Sequence, residues 1–377
     1  MVMEREMMRE AEEEPREYES QQTNTYVPRD AQRTHVASLP RVIHAKDIKG
    51  FIPGAKGAAK DKKGQQSKGG KAIYLSWQHH NWKEMRHPIY TMRWFGTAGT
   101  PGAGFKPGAS GCHRHWMEAI FYRPGGKYVE EQDGVLHECE GEGVVCIPTY
   151  CIHGHYFVEP PTKRGVTILS RIFEPLGIAD MEVFDVDEDY VRRGSPLGDF
   201  HIWEDTQEMM YARRNVKWAE GEPKTIYDRF VKMTADEYRW RLQTDRWIAA
   251  DSKPWEQTRQ GKIKYLIHPW DNSVIRTIDC YLQEIPPGGF SGKHRHVYEE
   301  VFLVTDGRGY TIQNGVRYDW QEDDIVCIPI GVTHQHFNTD PHNKAKIFAA
   351  YPRAYMWVGH GGVEHLENAS DWQPSQG

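Results

Sequence analysis

Apolar and polar positions alternate with a period of two in several stretches of this chain. Gly125-Gly126 and Asp133-Gly134 mark turns between such runs. Leu169-Ser170-Arg171-Ile172-Phe173 is a predicted late strand, with apolar residues on either side of Arg171. His113-Arg114-His115 and His294-Arg295-His296 show the alternation in polar form. On a strand, side chains at i and i+2 share one face, so each histidine pair points one way and its arginine the other. A helical signal occurs between these regions. Thr234, with Glu237 three residues on, predicts a helix start. No apolar run approaches the length of a membrane span.

The pattern occurs twice. Gly111-Cys112-His113-Arg114-His115 is followed by Cys146-Ile147-Pro148 and His153-Gly154-His155. Gly292-Lys293-His294-Arg295-His296 is followed by Cys327-Ile328-Pro329 and His334-Gln335-His336. The offset is 181 at both ends (294 − 113 and 334 − 153), and the same shift carries Gly126 onto Gly307 and Gly134 onto Gly315. A repeat that keeps histidines, glycines and prolines in register indicates two copies of one small fold. Each copy brings a third histidine back from a later strand, which makes a three-imidazole site for a first-row transition metal.

These residues resemble the cupin superfamily. Its first motif runs glycine, His-x-His, a glutamate four residues on and a later glycine. Its second runs glycine or acid, then Pro-x-Gly-x-x-His. The second copy carries both in Gly292, His294, His296, Glu300 and Gly307, then Asp324, Pro329, Gly331 and His334. The first carries Gly111, His113, His115 and Gly126, then Gly143, Pro148 and His153. The resemblance implies an all-β chain of two jelly-roll β-barrels. It also implies metal ligands His113, His115 and His153 in one and His294, His296, Glu300 and His334 in the other.

The copies differ where chemistry is sensitive. Glu300 maps onto Ala119, and the neighbouring Glu118 falls on the opposite strand face unless a bulge turns it back. The first copy is thus expected to offer three neutral ligands, leaving a divalent metal its full charge and several open positions. An anionic chelating substrate and dioxygen could share those positions. The first copy also resembles gentisate 1,2-dioxygenases and related salicylate or hydroxynaphthoate ring-cleaving enzymes. In these the first motif reads His-Arg-His without the glutamate, and the second ends in His-x-His. By that resemblance His155 stands beside the metal, able to hydrogen-bond a substrate oxygen or take its proton. Trp116 and Met117 depart from the usual polar residues of that family, and the second copy keeps a ligand set that such enzymes usually lose.

Composition narrows the remaining possibilities. The chain has 377 residues and a net charge of −6, with no basic stripe, so neither nucleic acid nor membrane is an expected partner. Its acidic beginning lacks an apolar core, so a cytoplasmic protein is expected, with its six cysteines as thiols. Thirteen tryptophans suit an aromatic pocket, a barrel core or a subunit interface, and a homo-oligomer is expected. Trp116, Tyr122 and Arg93 are candidates to line such a pocket, and Arg171 to grip a substrate carboxylate as a fork. The expected organisation is an arm and flexible loop over 1–73, a barrel over 74–185 and a partly helical connector over 186–262. A second barrel follows over 263–358, then a loose tail over 359–377. The expected function is a non-haem dioxygenase using Fe(II) and O2 to open the ring of a hydroxylated aromatic acid or hydroquinone. A manganese oxalate-type decarboxylase and a non-catalytic metal-binding protein are the alternatives.

Overall fold

The structure is a computed structural model. It describes residues 41–45, 50–51, 73–76, 89–96, 112–114, 118–132, 135–149, 151, 153–159, 163, 165–170, 184–186, 215–353 and 362–373. The described residues are almost entirely β, with two seven-stranded and two five-stranded sheets, as the all-β expectation requires.

In the first copy the strands are β2 (Gly50–Phe51), β3 (Ile73–Ser76), β4 (Ile89–Gly96), β5 (Cys112–Arg114), β6 (Ala119–Arg123) and β7 (Lys127–Gln132). They continue with β8 (Val135–Glu140), β9 (Gly143–Ile147), β10 (His153–Glu159), β11 (Val166–Ser170) and β12 (Phe184–Val186). The second copy runs through β14 (Glu256–Thr258), β15 (Gly261–Ile267), β16 (Ile278–Ile285), β17 (Lys293–His296), β18 (Glu300–Asp306) and β19 (Arg308–Gln313). It ends with β20 (Val316–Gln321), β21 (Ile325–Ile328), β22 (His334–Asn338), β23 (Ala345–Pro352) and β24 (Val363–Glu367). Two strands lie outside these sets, β1 (Val42–Ile43) and β13 (Trp247–Ala249).

The repeat is exact in sheet order. The large sheets run β13-β9-β6-β11-β4-β3-β2 and β1-β21-β18-β23-β16-β15-β14, the small ones β12-β5-β10-β7-β8 and β24-β17-β22-β19-β20. Register repeats as well. Ala119 lies opposite Ile147 as Glu300 lies opposite Ile328, and His113 opposite His153 as His294 opposite His334. The turn after β6 holds Gly126 at φ +97°, and its counterpart Gly307 has φ +88°. Both are left-handed positions where a side chain would be strained.

The copies exchange edge strands. β1, which precedes the first copy, pairs with β21 of the second. β13, which precedes the second copy, pairs with β9 of the first. Asp324 anchors the exchange by accepting from the Ala45 amide and the His44 ring, both at 2.8 Å.

Strand alternation divides each large sheet between two cores. Ile120, Tyr122, Val144 and Cys146 from one copy pack with Leu303, Ile325, Phe348 and Ala350 from the other, so the large sheets share an apolar interface. The alternate residues face inward, Ala119, Phe121, Val145 and Ile147 in the first copy and Phe302, Val304, Val326 and Ile328 in the second.

Two expectations are corrected here. The connector helix α1 spans Ile226–Gln243, and its cap is Thr225, which forms a reciprocal capping box with Asp228. Thr234 lies within this helix, its hydroxyl bonded back to the Val231 carbonyl. The stronger upstream box sets the start. The tail is also not loose over its whole length, since β24 pairs along β17, with His365 opposite His294. Its polar sequence suits an edge strand exposed on one face.

Candidate metal centre

In β17 burial alternates, with His294 and His296 inside and Arg295 exposed to make an ion pair with Glu364. The alternation predicted for His-x-His is thus realised in the second copy. Glu300 opens β18 and His334 opens β22, and both are buried. One ligand atom from each of His294, His296, Glu300 and His334 lies within 4.8 Å of all the others.

Backbone carbonyls fix the imidazole tautomers. Nδ1 of His296 donates to the Tyr298 carbonyl at 2.6 Å, Nδ1 of His334 to that of Val332 at 2.8 Å, and Nδ1 of His294 to that of Gly292 at 3.4 Å. A carbonyl can only accept, so each Nδ1 carries a hydrogen and each neutral ring offers its Nε2 lone pair. Nε2 of His296 lies 3.0 Å from Oε2 of Glu300, and Nε2 of His334 lies 3.8 Å from it. Nε2 of His334 has no hydrogen-bond partner among the described residues. Ring nitrogens and a carboxylate oxygen that converge in a buried space form an arrangement that a cation between them would satisfy. This donor set fits a divalent metal ion.

The electrostatics agree. Burial pushes the His294 imidazole down to about 4 and that of His334 well below its ordinary value. Both are therefore neutral at pH 7, as ligands must be. Burial alone would raise the Glu300 carboxyl. In the metal-free cluster the facing His296 and His294 rings in their protonated form, with the Tyr281 hydroxyl, outweigh it and bring the group to about 2. Tyr281 donates to Oε1 of Glu300, and Tyr298 stacks on the His296 ring at 4.1 Å. Sequence motifs gave no sign of Tyr281, because it reaches the site from β16.

In the first copy His153 is buried, and its Nδ1 donates to the Cys151 carbonyl at 2.9 Å, the same bond that His334 makes to Val332. His113 lies opposite it in β5. Ala119 takes the place of Glu300 and is fully buried. Glu118 does not turn back toward the histidines. Its carboxylate accepts from the Arg276 and Thr277 amides and the Thr277 hydroxyl of the second copy.

The substrate candidates fare differently. Tyr122 is corrected to a core residue. Its ring stacks on Phe348 of the second copy at 4.1 Å and its hydroxyl donates to Glu142 at 2.5 Å, on the sheet face turned away from Phe121 and Ala119. His115, Trp116 and Arg171 lie outside the described residues. Arg93 in β4 and His155 in β10 have placed backbones, opposite Thr167 and Glu130, but their side chains lie outside the described set. Sequence reasoning missed a buried charge pair beside His155, in which Arg123 donates to Glu130 at 3.1 Å with both side chains almost wholly enclosed. The 181-residue shift could have flagged it, since it sets Arg123 against Val304 and Glu130 against Thr311.

Comparison with known proteins agrees with this geometry. The cupin domain family matches residues 281–351. A 67-residue stretch is 33% identical to 5-aminosalicylate 1,2-dioxygenase of a Comamonas species, covering 18% of this chain and 18% of that enzyme. Auxin-binding protein 4 of Zea mays is 26% identical over 87 residues, 21% of this chain and 43% of that protein. The chain thus spans less than half the length of either relative. A variant of Bacillus subtilis oxalate decarboxylase superposes over 87% of this chain and 79% of its own, with TM-score 0.52 and 12% identity. Salicylate 1,2-dioxygenase from Pseudaminobacter salicylatoxidans aligns over 79% and 81%, with TM-score 0.49 and 12% identity. No helix among the described residues is long and apolar enough to cross a membrane.

Proposed function

We propose that this protein, which has the two-domain cupin fold, is a metal-dependent dioxygenase that opens the ring of a hydroxylated aromatic acid. The observation that carries the reading is the contrast at one register position. Glu300 completes a four-ligand set in the second copy, whereas Ala119 stands there in the first and Glu118 is committed elsewhere. The first copy's donors are then His113, His115 and His153, without a carboxylate. The local similarity to a 5-aminosalicylate 1,2-dioxygenase supports the substrate class.

A divalent metal, Fe(II) on this reading, supplies positions where substrate oxygens and dioxygen can be brought together. The chain's own residues do the rest. The Cys151 carbonyl keeps the His153 Nε2 lone pair available. His155, opposite Glu130 in register, is proposed to accept the phenol proton as the substrate binds. Arg171 or Arg93 is proposed to hold the substrate carboxylate. The second copy gives a second metal position, for up to two metals per chain.

Anaerobic purification, Fe(II) loading and metal analysis test the reading, followed by oxygen uptake with 5-aminosalicylate, gentisate, salicylate, hydroquinone and oxalate. Uptake in step with loss of an aromatic acid is expected. Carbon dioxide release from oxalate under Mn(II), with no uptake on any aromatic, would establish the decarboxylase reading instead. That alternative is favoured by the carboxylate in the second centre.

A further inference from the structure

We propose that His336, which is outside the four-ligand set, is a hydrogen-bond donor built to hold an oxygen of a small carboxylate or related oxyanion bound at the second copy's metal centre. The inference rests on that centre holding a metal.

The argument is one of hydrogen inventory. His336 lies two residues beyond His334 on β22, buried, with the two ring centroids 5.5 Å apart. Its Nδ1 is 2.9 Å from Oγ1 of Thr311, the cross-strand partner on β19. Thr311 is fully buried, and its hydroxyl oxygen also accepts from the Trp320 indole N–H at 3.0 Å. The hydroxyl has one hydrogen to place. Among the described residues only the His336 Nδ1 lone pair is there to receive it. If Nδ1 carried the hydrogen instead, the buried hydroxyl hydrogen would have no acceptor. Trp320 therefore donates to Thr311, Thr311 donates to Nδ1, and the neutral ring carries its hydrogen on Nε2. An imidazolium would carry one there too.

His336 is thus wired oppositely to its neighbours. His294, His296 and His334 give their Nδ1 hydrogens to carbonyls and offer lone pairs. His336 offers an N–H. Its Nε2 is buried and has no partner among the described residues. Phe302 packs edge-on against the ring at 4.8 Å, and the backbone is tied to Ser291 by two hydrogen bonds, so the ring is held in place. A fixed, unfilled donor beside a cation site suits a ligand that gives one oxygen to the metal and shares negative charge with the donor. A ring wired in this way serves as a fourth imidazole ligand only if its hydrogen moves to Nδ1, which leaves the Thr311 hydroxyl hydrogen without an acceptor among the described residues.

The experiment uses the full chain carrying His113→Ala, so that cobalt is read at the second copy alone. Cobalt content is measured, and formate is titrated against the visible cobalt bands. Formate is expected to bind. His336→Phe should keep the cobalt and weaken formate by about 10- to 100-fold, as for loss of a charge-assisted hydrogen bond. His336→Gln, which restores an N–H donor, should recover most of that loss. Thr311→Val, which leaves the ring present and releases its tautomer, should weaken formate several-fold and keeps the test open if His336→Phe does not fold. Cobalt retained with formate affinity within twofold of the parent in both His336→Phe and Thr311→Val would overturn the inference and leave the metal centre standing. So would a cobalt-loaded parent that binds no formate. A parent that takes up no cobalt would overturn the centre itself.

Discussion

In the second copy the strand position opposite His336 is Thr311, a fully buried hydroxyl wired to Trp320. In the first copy the position opposite His155 is Glu130, a fully buried carboxylate wired to Arg123. The exchange extends through the neighbouring cross-strand pair. Gly309 lies opposite Trp320, and the space above the glycine is filled by the indole, so an added Cβ would sit 2.5 Å from it. The equivalent pair in the first copy is Tyr128 opposite Cys139, large and small having changed sides. Arg123 lies over the Tyr128 ring at 4.7 Å, in the place where the second copy has Val304. The strand plan tolerates these substitutions because each is compensated in volume and polarity within its own layer. The same fold therefore places a buried indole–hydroxyl–imidazole chain at this layer of one copy and a buried ion pair at the same layer of the other.

The largest test of that comparison is which site supports turnover. His153→Ala removes a ligand from the carboxylate-free set and is expected to abolish aromatic-acid oxidation, a loss on the order of a thousandfold or more, consistent with removal of metal activation. Glu300→Gln should weaken metal retention in the second copy and leave turnover within a few-fold. Steady-state rates on preparations of known metal content decide between the sites. The reverse ranking would move the reaction to the second copy.

The charge pair is the next test. Arg123→Val and Glu130→Thr, each alone, break a buried ion pair and should cost roughly 3–5 kcal/mol in unfolding experiments. The double substitution installs the second copy's residues and should recover most of that cost, since a buried ion pair is seldom worth more than a well-packed replacement. Additive losses in the double variant would show that the two side chains act independently. That outcome would undo the view that they are one exchangeable layer.

How far the sequence spoke for itself follows from the same layers. The repeat, the alternation and the histidine–glutamate cluster of the second copy were legible because glycine, proline and histidine at fixed spacing constrain backbone and chemistry together. The difference at Ala119 and the diversion of Glu118 were legible from strand period alone. Tyr122 was misassigned because alternation shows that a residue is buried but not between which sheets. Each large sheet has two buried faces, and Tyr122 lies on the one shared by the copies. Tyr281 and Thr311 were missed because their roles come from neighbouring strands far away in sequence. The edge-strand exchange was missed because β1 and β13 are too short to carry a pattern.

Proton sensitivity should distinguish the second copy's histidine cluster in the metal-free protein. The His294 and His336 imidazoles are pushed to about 4 by burial, and His334 moves the same way. Between the unfolded value near 6.5 and these depressed values the unfolded chain binds more protons, so stability rises with pH through that window. It is complete above about 6.5 and is lost as pH falls toward 4, at up to about 1.4 kcal/mol per pH unit for each histidine. Glu300, held near 2, adds a loss below about 4.5. Thermal midpoints of the metal-free chain from pH 7 to 4.5 should fall, and His336→Phe should flatten the slope. Equal slopes in the two proteins would mean that His336 does not contribute.

The smallest effect concerns Tyr281, and it sharpens the contrast between a four-ligand and a three-ligand site. The phenol is buried, and burial with the adjacent Glu300 charge pushes its ionisation well above the ordinary value, so it remains a donor at any working pH. Its O–H is given to Oε1 of Glu300, while Oε2 faces His296 and His334. One carboxylate oxygen is thus reserved for the tyrosine and the other for the cation. Tyr281→Phe keeps the ring and its packing against Tyr265 and Tyr351, and removes only this bond. The freed carboxylate can rotate, and Oε1 loses its partner in a buried place. Metal affinity at the second copy should drop by roughly tenfold, the low end of the range for groups that orient a metal ligand. The first copy has no carboxylate at this position, so its affinity should not change. Chelator competition against the His113→Ala and His294→Ala backgrounds separates the two sites. A tenfold drop in both, or in neither, would mean that Tyr281 acts on the fold as a whole and not on Glu300.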